Sequence, residues 1–235
     1  MGDHTAGSIR ARVRAEMADE IKNVARRHLA ADGANLSLRA VARDMGLVSS
    51  ALYRYYPSRD DLLTALILDA YNALGDAAER ADAAVRDRSD FIGRWSAVCR
   101  AIRQWALDTP HEYALIYGSP VPGYLAPVDT IVPASRPIRQ LATIVSEADA
   151  FAASTADRPM TIPAPLRSEL ERAAEVVGAT VRPPAVARTM VAWTCLFGTI
   201  SFELFGRFDN AIDERDAWFE LQITMMVGFL GLTAG

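Results

Sequence analysis

The segment 36–63 constrains the fold of this chain more than any other part of the sequence. It reads LSLRAVARDMGLVSSALYRYYPSRDDLL. Ser37 is a suitable N-cap for a first helix. The apolar residues of that helix recur at the spacing of one helical face, at Leu38, Val41, Ala42 and Met45. Gly46 has no Cβ and therefore allows a sharp turn after the helix. The segment thus predicts two helices joined by a tight turn, a helix-turn-helix.

The second helix of this unit is predicted over 48–55, with Leu52 closing a small core against the first helix. Its opposite face carries Ser49, Ser50, Tyr53 and Arg54. Hydroxyl, phenol and guanidinium groups can contact base edges and phosphates in the major groove of DNA. The pattern therefore predicts double-stranded DNA as the partner of the N-terminal domain.

The same segment resembles the DNA-binding domain of the tetracycline-repressor (TetR) family of bacterial transcription regulators. The resemblance rests on SLRAVARDMG at 37–46 and VSSALYRYYPSRDDLL at 48–63, the first quarter of the chain. The residues that match the end of the family's recognition helix and the start of its connecting helix are Leu52, Tyr53, Tyr55, Tyr56 and Arg59. The resemblance implies an all-α fold, with an N-terminal three-helix helix-turn-helix DNA-binding domain and a larger C-terminal helical ligand-binding and dimerisation domain.

Eight residues are candidate contacts to DNA: Ser37, Arg39, Ser49, Ser50, Tyr53, Arg54, Tyr55 and Arg59. Ser49, Ser50 and Tyr53 belong to the end of the recognition helix that enters the groove. Arg39, near the start of the preceding helix, is expected to contact either a guanine edge or a phosphate.

The other candidates are expected to position the protein on the DNA backbone. Ser37, Tyr55 and Arg59 are predicted phosphate contacts that set the register without reading sequence. Arg54 is expected to point to a phosphate or to solvent, and Tyr56 belongs to the core more than to the DNA surface. Three arginines at alternate positions offer either minor-groove contacts or a solvated helix start, namely Arg10, Arg12 and Arg14.

Charge is distributed unevenly along the 235 residues, whose formal net charge is −4. Residues 1–60 contain 10 lysines and arginines against 7 acids, whereas the remaining residues contain 15 against 22. A basic N-terminal domain suits DNA binding, because phosphate contacts supply most of the non-specific affinity. Together with the predicted helices, the resemblance implies a DNA-binding domain at 9–57, a connecting helix at 58–88 and a ligand-binding and dimerisation domain at 89–235.

Caps and helix breakers predict the remaining elements. Ser58 with Asp61 is typical of the capped start of a helix, here the connecting helix. Thr109-Pro110 with Glu112 is typical of the start of another helix. Residues 1–8 are expected to form a disordered arm, and residues 118–127 and 155–165 to form loops. Helices are predicted at about 9–31, 58–88, 90–107, 110–117, 131–152, 166–177, 184–207 and 213–232.

The C-terminal half is similar to the regulator domain called the WHG domain within the same family. The similarity rests on YALIYGSPVPGY at 113–124 and WTCLFGTISFELFGRF at 193–208. The Trp-His-Gly signature corresponds to Trp193, Phe197 and Gly198, so a phenylalanine stands where the family has a histidine. This departure implies either a more apolar ligand pocket or a purely structural position.

Aromatic residues and one histidine are the candidate ligand contacts: Trp95, Trp105, His111, Tyr113, Tyr117, Trp193 and Phe197. Aromatic residues at helical spacing are more often core than pocket lining, so both interpretations stay open. The resemblance implies that a small, mostly apolar molecule bound there shifts the connecting helix and releases the operator.

The last helix is apolar on two sides, which predicts that one side faces its own core and the other a second subunit. The residues assigned to the homodimer interface are Phe219, Ile223, Met226, Val227 and Leu230. The residues of the other side are Trp218, Leu221, Met225 and Phe229.

Cys99 and Cys195 are the only cysteines, and both are expected to be buried thiols of a cytoplasmic protein, with a redox pair as the alternative. No apolar run reaches the roughly 18–20 residues of a membrane span, so no membrane partner is expected. The histidines are scattered, and neither a metal-ligand spacing nor a phosphate-binding glycine loop occurs. We therefore expect no metal, no cofactor and no enzymatic activity.

The resemblance favours a ligand-responsive repressor that binds a palindromic operator as a homodimer. One alternative is a DNA-binding regulator or activator without a small-molecule effector. Another is a helical carrier or enzyme with a vestigial N-terminal domain. Glu203, an acid within an apolar segment, is expected to be a hydrogen-bonded or interface carboxylate rather than a catalytic one.

Overall fold

The computed structural model describes residues 3–32, 36–152, 161–177 and 182–233. Within these ranges the chain forms ten α-helices and one short 3-10 turn, with no strand. The helices are α1 (Asp3–Asp32), α2 (Leu38–Asp44), α3 (Ser49–Leu52), α4 (Arg59–Ala84), α5 (Phe91–Asp108), α6 (Pro110–Tyr117), α7 (Ile131–Ala152), α8 (Ala164–Val177), α9 (Pro183–Leu204) and α10 (Arg215–Leu230). The all-α prediction is confirmed.

The helix boundaries differ from the sequence prediction at the N-terminus and at the recognition helix. Helix α1 begins at Asp3, so residues 3–8 are helical rather than part of a disordered arm, and residues 1–2 lie outside the described residues. Helix α3 ends at Leu52 and continues as turns, in which the amides of Arg54 and Tyr55 bond the carbonyls of Ala51 and Leu52. Pro57 disfavours the helical region for Tyr56, the residue before it, so the segment does not continue as a helix beyond these turns.

The chain divides into two compact units. The first, here called the head, comprises Met1–Ala70 and His111–Thr130, and the second, the body, comprises Tyr71–Pro110 and Ile131–Gly235. Helix α4 runs without a break from the head into the body. Helix α6 and the loop after it therefore pack with the head, whereas the sequence suggested a place in the C-terminal domain. The reason is apolar packing of Val121, together with half-buried Leu115 and Tyr124, against the core of the head.

The head has one apolar core, built around Ile21 of α1, Val41 of α2, Leu52 of α3 and Leu62 of α4. Each of these side chains is buried, and together they hold the short helices α2 and α3 against the longer ones. Helix α3 has only four residues and cannot be stable alone, because isolated short helices do not form in water. Its orientation is therefore fixed by packing.

The body is organised by α5, α7 and α9, which pack against one another. Asp90 caps α5 by accepting a hydrogen bond from the amide of Gly93 at 2.8 Å. The guanidinium of Arg94 is buried and meets Asp82 at the end of α4 and Glu147 of α7. Burial alone would raise the pKa of Asp82. The hydrogen bonds from Arg94 and Arg88 lower it by more, so the pKa lies below its usual value.

Helix α9 is long and apolar enough to cross a membrane by length and composition alone. Ala185, Thr189, Leu196 and Ile200, however, are buried against neighbouring helices of the body, as in a core helix. Glu203 near its end is mostly buried and pairs with Arg103 of α5 at 2.6 Å. The hydrogen-bonded carboxylate expected from the sequence is confirmed.

Candidate nucleic-acid interface

The α2–turn–α3 corner is built by the signals that the sequence contains. The hydroxyl of Ser37 accepts a hydrogen bond from the amide of Ala40 at 3.4 Å, which caps α2. Gly46 adopts a φ of +66°, a backbone conformation that is unfavourable for any residue with a Cβ. The amide of Leu47 then bonds the carbonyl of Ala42 at 2.8 Å and closes the turn. The predicted N-cap and glycine turn are confirmed.

The outer surface of this corner carries exposed polar side chains. Arg39, Ser50 and Arg54 are exposed, and the ring of Tyr53 is 42% exposed. Within the described residues, neither Arg39 nor Arg54 has a carboxylate within 4.0 Å of its guanidinium. An exposed cation without a counter-ion is available to a phosphate or to a base edge. This group of side chains is here called the reading surface.

Ser49 and Tyr55 flank the reading surface and are half-buried. Tyr55 packs on the core of the head, and the guanidinium of Arg14 lies over its ring at 5.2 Å. The same guanidinium donates to the carbonyl of Arg54 at 3.0 Å. Arg14 thus braces the end of the recognition segment, a role that the sequence did not reveal because the two residues are 40 positions apart.

Arg59 and Tyr56 have internal partners. Arg59 Nε donates to the carbonyl of Leu36 at 3.2 Å, and Nη1 lies 3.5 Å from a carboxylate oxygen of Asp60. The hydroxyl of Tyr56 donates to the carbonyl of Ala18 at 3.4 Å, and its ring packs on the core. Arg59 therefore joins the start of α4 to the segment before α2, and its phosphate contact stays a prediction. The core position expected for Tyr56 is confirmed.

A second charged cluster of the head links α1, α4 and α6. Arg26 of α1 donates to Asp69 of α4 at 2.8 Å and to Glu112 of α6 at 2.6 Å. Lys22, one turn earlier on α1, also pairs with Asp69 at 2.8 Å. These three helices are therefore joined by ion pairs in addition to their apolar packing, an arrangement that sequence reasoning missed.

The candidate ligand residues are divided between the two units. In the head, Tyr113 is buried, its ring lies 5.2 Å from that of Tyr117, and His111 is exposed. In the body, the rings of Trp193 and Phe197 are 5.5 Å apart. The two remaining candidates of the body are buried Trp95 and half-buried Trp105. The seven residues therefore do not form one cluster within either unit.

The residues assigned to the dimer interface need correction. Val227 is half-buried. The other four are buried in the body's own core, namely Phe219, Ile223, Met226 and Leu230. Arg100 and Arg103 of α5 also pair with Glu220 and Asp216 of α10. The sequence showed two apolar sides of α10 but held no information on which one would pack inward.

The other apolar side of α10, together with part of α9, faces outward. Its exposed residues are Met190, Val191 and Phe202 of α9, Phe205 directly after α9, and Leu221, Met225 and Phe229 of α10. Between the two helices lies an apolar groove of about 310 Å³, lined in part by Val191, Trp218, Met225 and Phe229. We call this surface the α9–α10 face.

The two cysteines differ, against the expectation that both are buried. Cys99 is fully buried, and burial raises the pKa of its thiol. Cys195 is exposed and lines the groove of the α9–α10 face. Only Cys195 is therefore accessible to a thiol reagent in the single chain.

Comparison with known proteins covers both parts of the chain. Residues 21–66 match the family described as bacterial regulatory proteins, tetR family, and residues 95–226 match the tetracyclin repressor-like C-terminal domain. The HTH-type transcriptional regulator Rv1816 of Mycobacterium tuberculosis is 38% identical over 231 residues, which is 92% of this chain and 93% of that protein. The regulator Mb1846 of Mycobacterium bovis has the same identity and coverage.

Solved structures share the fold. The crystal structure of the regulatory protein SCO4313 has a TM-score of 0.77 at 32% identity, and the match covers 93% of this chain and 98% of that chain. The TetR family transcriptional regulator PfmR of Thermus thermophilus has a TM-score of 0.55 at 16% identity, over 87% of this chain and 97% of its own. The second likeness concerns the fold alone.

Proposed function

Because this chain belongs to the tetR family of bacterial transcriptional regulators, we propose that it is a repressor that binds a palindromic operator as a homodimer and is released by a small apolar molecule. The observation that carries the DNA-binding part is the reading surface, where Arg39, Ser50, Tyr53 and Arg54 are exposed around the α2–α3 corner. Hydroxyl and phenol groups at the start of a recognition helix read base edges, and the arginines bind phosphates or guanine. Operator binding implies a cytoplasmic protein.

The first experiment measures binding of the purified protein to the DNA upstream of its own coding region over a range of salt concentrations. Tyr53→Ala removes an exposed reading side chain and is expected to weaken binding to the palindrome by about fivefold to 150-fold, which corresponds to about 1–3 kcal/mol per base-reading side chain. Leu125→Ala, at an exposed apolar residue of the head outside the reading surface, is the matched control and is expected to bind like the parent. Weak binding that is equal for all sequences and steep in salt would contradict the proposal.

The homodimer is proposed to form through the α9–α10 face. This face exposes large apolar side chains on two adjacent helices, and a single soluble domain rarely leaves so contiguous an apolar surface uncovered. Two copies related by a two-fold axis would pair α9 and α10 of each into a four-helix bundle, which is the arrangement that such helix pairs adopt. Two reading surfaces would then meet two half-sites of the operator.

Charge placed on the α9–α10 face tests the dimer. Met225 is 64% exposed, and Met225→Glu is expected to convert the dimer into a monomer in light scattering. Thr224→Glu places the same charge on the neighbouring exposed residue, which is polar, and is the matched control. The dimer is also expected to slow maleimide labelling of Cys195, whereas Cys195→Ser reports any background labelling of buried Cys99. A monomeric parent protein, or a dimer that survives in Met225→Glu, would contradict this interface.

Effector release is proposed to act through α4. This helix is continuous between the body and the head, so a ligand that shifts its position in the body changes the separation of the two reading surfaces. Screening of apolar compounds against the operator complex tests this part. Operator binding that no compound weakens would favour a regulator without a small-molecule effector.

A further inference from the structure

Val48, the residue before the recognition helix, fills neither of the two structural roles that its position offers. It is the N-cap of α3, with φ −68° and ψ 139°, but its side chain makes no capping hydrogen bond. A valine cannot make one, because the cap needs a side-chain oxygen such as that of serine, threonine, aspartate or asparagine. The side chain is also 71% exposed, so it adds nothing to the core of the head. Neither capping nor packing therefore accounts for a valine here.

The extended backbone of Val48 places its side chain outside the core. The regular helix predicted over 48–55 would bring Val48 onto the same face as Leu52, one turn later, and Leu52 is 0% exposed. Helix α3 begins instead at Ser49, and the carbonyl of Val48 accepts the amide of Ala51 at 2.9 Å. Val48 is thus tied to the first turn of α3 while its side chain remains in solvent.

This position is the end of the recognition helix that enters the major groove. Helix-turn-helix proteins contact base edges with the N-terminal residues of that helix. Within the described segment 36–58, the large hydrophobic side chains that are exposed are Val48 and Tyr53, and the tyrosine carries a hydroxyl. Val48 is therefore the large, purely apolar side chain that this segment offers to DNA.

The major groove offers an apolar side chain one kind of partner. Base edges there present hydrogen-bond donors and acceptors, and the apolar group among them is the C5-methyl group of thymine. An apolar side chain that covers a donor or acceptor instead leaves it without a partner, which weakens the complex. Exposed single apolar residues are common on soluble proteins, so exposure alone assigns no role. Here the assignment comes from the position at the groove end of α3.

We propose that Val48 selects thymine at one position of each operator half-site by packing on its C5-methyl group. The proposal rests on the proposed function, because it requires α3 to lie in the major groove of an operator. Binding removes the methyl group of the base and those of Val48 from water, which favours the complex. Cytosine lacks this methyl group and is disfavoured at the same position.

The test replaces thymine by deoxyuridine, which lacks only the C5-methyl group, at one position of one half-site at a time. The full-length protein is titrated with the palindrome identified upstream of its coding region. At one position we expect binding to weaken by about threefold to fivefold, the effect of one buried methyl group. In Val48→Ala the same replacement is expected to have no further effect, because the contact is already lost, and the two changes form a double-mutant cycle.

Val48→Ser separates recognition from a structural role. Serine supplies the oxygen that an N-cap uses, so the thermal unfolding midpoint is expected to equal or exceed that of the parent. Operator affinity is expected to fall, and thymine and deoxyuridine are expected to bind alike. Val128→Ala, at a 73% exposed residue of the head outside the reading surface, is the matched control and is expected to keep both the affinity and the thymine preference.

Two results would overturn the proposal and leave the proposed function standing. One is a sequence-specific parent complex that tolerates deoxyuridine at every position. The other is a methyl preference that survives in Val48→Ala or Val48→Ser, since another residue would then read the methyl group. A parent protein that binds all sequences equally would contradict the proposed function, and this proposal with it.

Discussion

The arginines of the reading surface and the buried arginines of the body are used in opposite ways. On the reading surface of the head, Arg39 and Arg54 are exposed and have no carboxylate partner within the described residues. In the body, Arg94, Arg103 and Arg136 each bind two carboxylates from other helices. The comparison teaches that the same side chain stays available for binding where solvent surrounds it and stabilises the fold where helices enclose it.

The physical reason is the cost of transferring charge out of water. An exposed guanidinium keeps its hydration and exchanges it for a phosphate on binding, with release of counter-ions. A buried guanidinium has lost its hydration and is strongly destabilising unless carboxylates replace it. Removing an arginine from the body is therefore expected to affect stability, and removing one from the reading surface to affect DNA binding.

The largest expected effect follows from Arg94→Ala. The side chain is 1% exposed, and its loss leaves Asp82 buried beside the space that the guanidinium filled. Breaking one partner of a buried ion pair costs about 3–5 kcal/mol of unfolding free energy, to be measured by urea denaturation of the full chain. Arg88→Ala is the matched control: Arg88 binds the same carboxylate but is 49% exposed, and its loss is expected to cost less than about 1 kcal/mol. Equal losses in the two variants would break the comparison.

Acid is expected to weaken the body through the same cluster. The pKa of Asp82 is lower in the folded protein than in the unfolded chain, because the hydrogen bonds from Arg94 and Arg88 outweigh the desolvation that raises it. The stabilisation is therefore complete above the unfolded pKa of about 4 and is lost as the pH falls through the folded value. Asp82→Asn is expected to be less stable at neutral pH and to show a shallower loss in acid, in thermal scans from about pH 6 down to about pH 2.5. An unchanged acid dependence in this variant would exclude Asp82 as the group responsible.

Arg39→Ala is expected to reduce operator affinity without loss of stability. A guanidinium that reads a base is worth about 1–3 kcal/mol and specifies one position, whereas a phosphate contact weakens binding equally on all sequences and lowers the salt slope by about 1. Titration of the parent and variant against the operator and point-mutated operators distinguishes the two. A lower thermal midpoint in this variant would show that Arg39 has a structural role like the arginines of the body.

The smallest expected effect belongs to Arg14→Ala. This arginine is exposed like those of the reading surface but makes structural contacts like those of the body. Arg14 is exposed, yet it donates to the carbonyl of Arg54 and lies over Tyr55. Loss of one such hydrogen bond costs about 0.5–1.5 kcal/mol, and we expect a threefold to tenfold weaker operator complex at all salt concentrations. Arg12→Ala, whose arginine pairs only with Glu16 at 3.5 Å among the described contacts, is the control. A fall in the salt slope for Arg14→Ala would indicate a direct phosphate contact instead of a brace.

The sequence predicted the DNA-reading corner well because its signals are local. Ser37 caps the helix that starts at the next residue, and Gly46 supplies the conformation that the turn needs within the same ten residues. The cap at the start of α4 has the same character, since the amide of Asp61 donates to the hydroxyl of Ser58 at 3.1 Å. Such contacts join residues that are close in the chain, so they can be predicted without knowledge of the fold.

The C-terminal prediction was weaker because its decisive contacts are distant in sequence. In α10, Phe219 lies inward and Met225 outward, and the contacts of this helix, such as the ion pair of Glu220 with Arg100, join residues 120 positions apart. The exposure of Cys195 depends on the same packing. Likewise, Val121 packs in the apolar core of the head, and no local sequence pattern predicts these contacts.

The sequence by itself determined the all-α fold, the helix-turn-helix and the family, because helix periodicity, caps and turn residues act over a few positions. Only the tertiary structure decided which apolar side of α10 is exposed and that α6 packs with the head. An amphipathic pattern states that a side chain prefers burial. Which helix buries it, and which polar atoms remain unpaired as a result, depends on how all the helices pack at once.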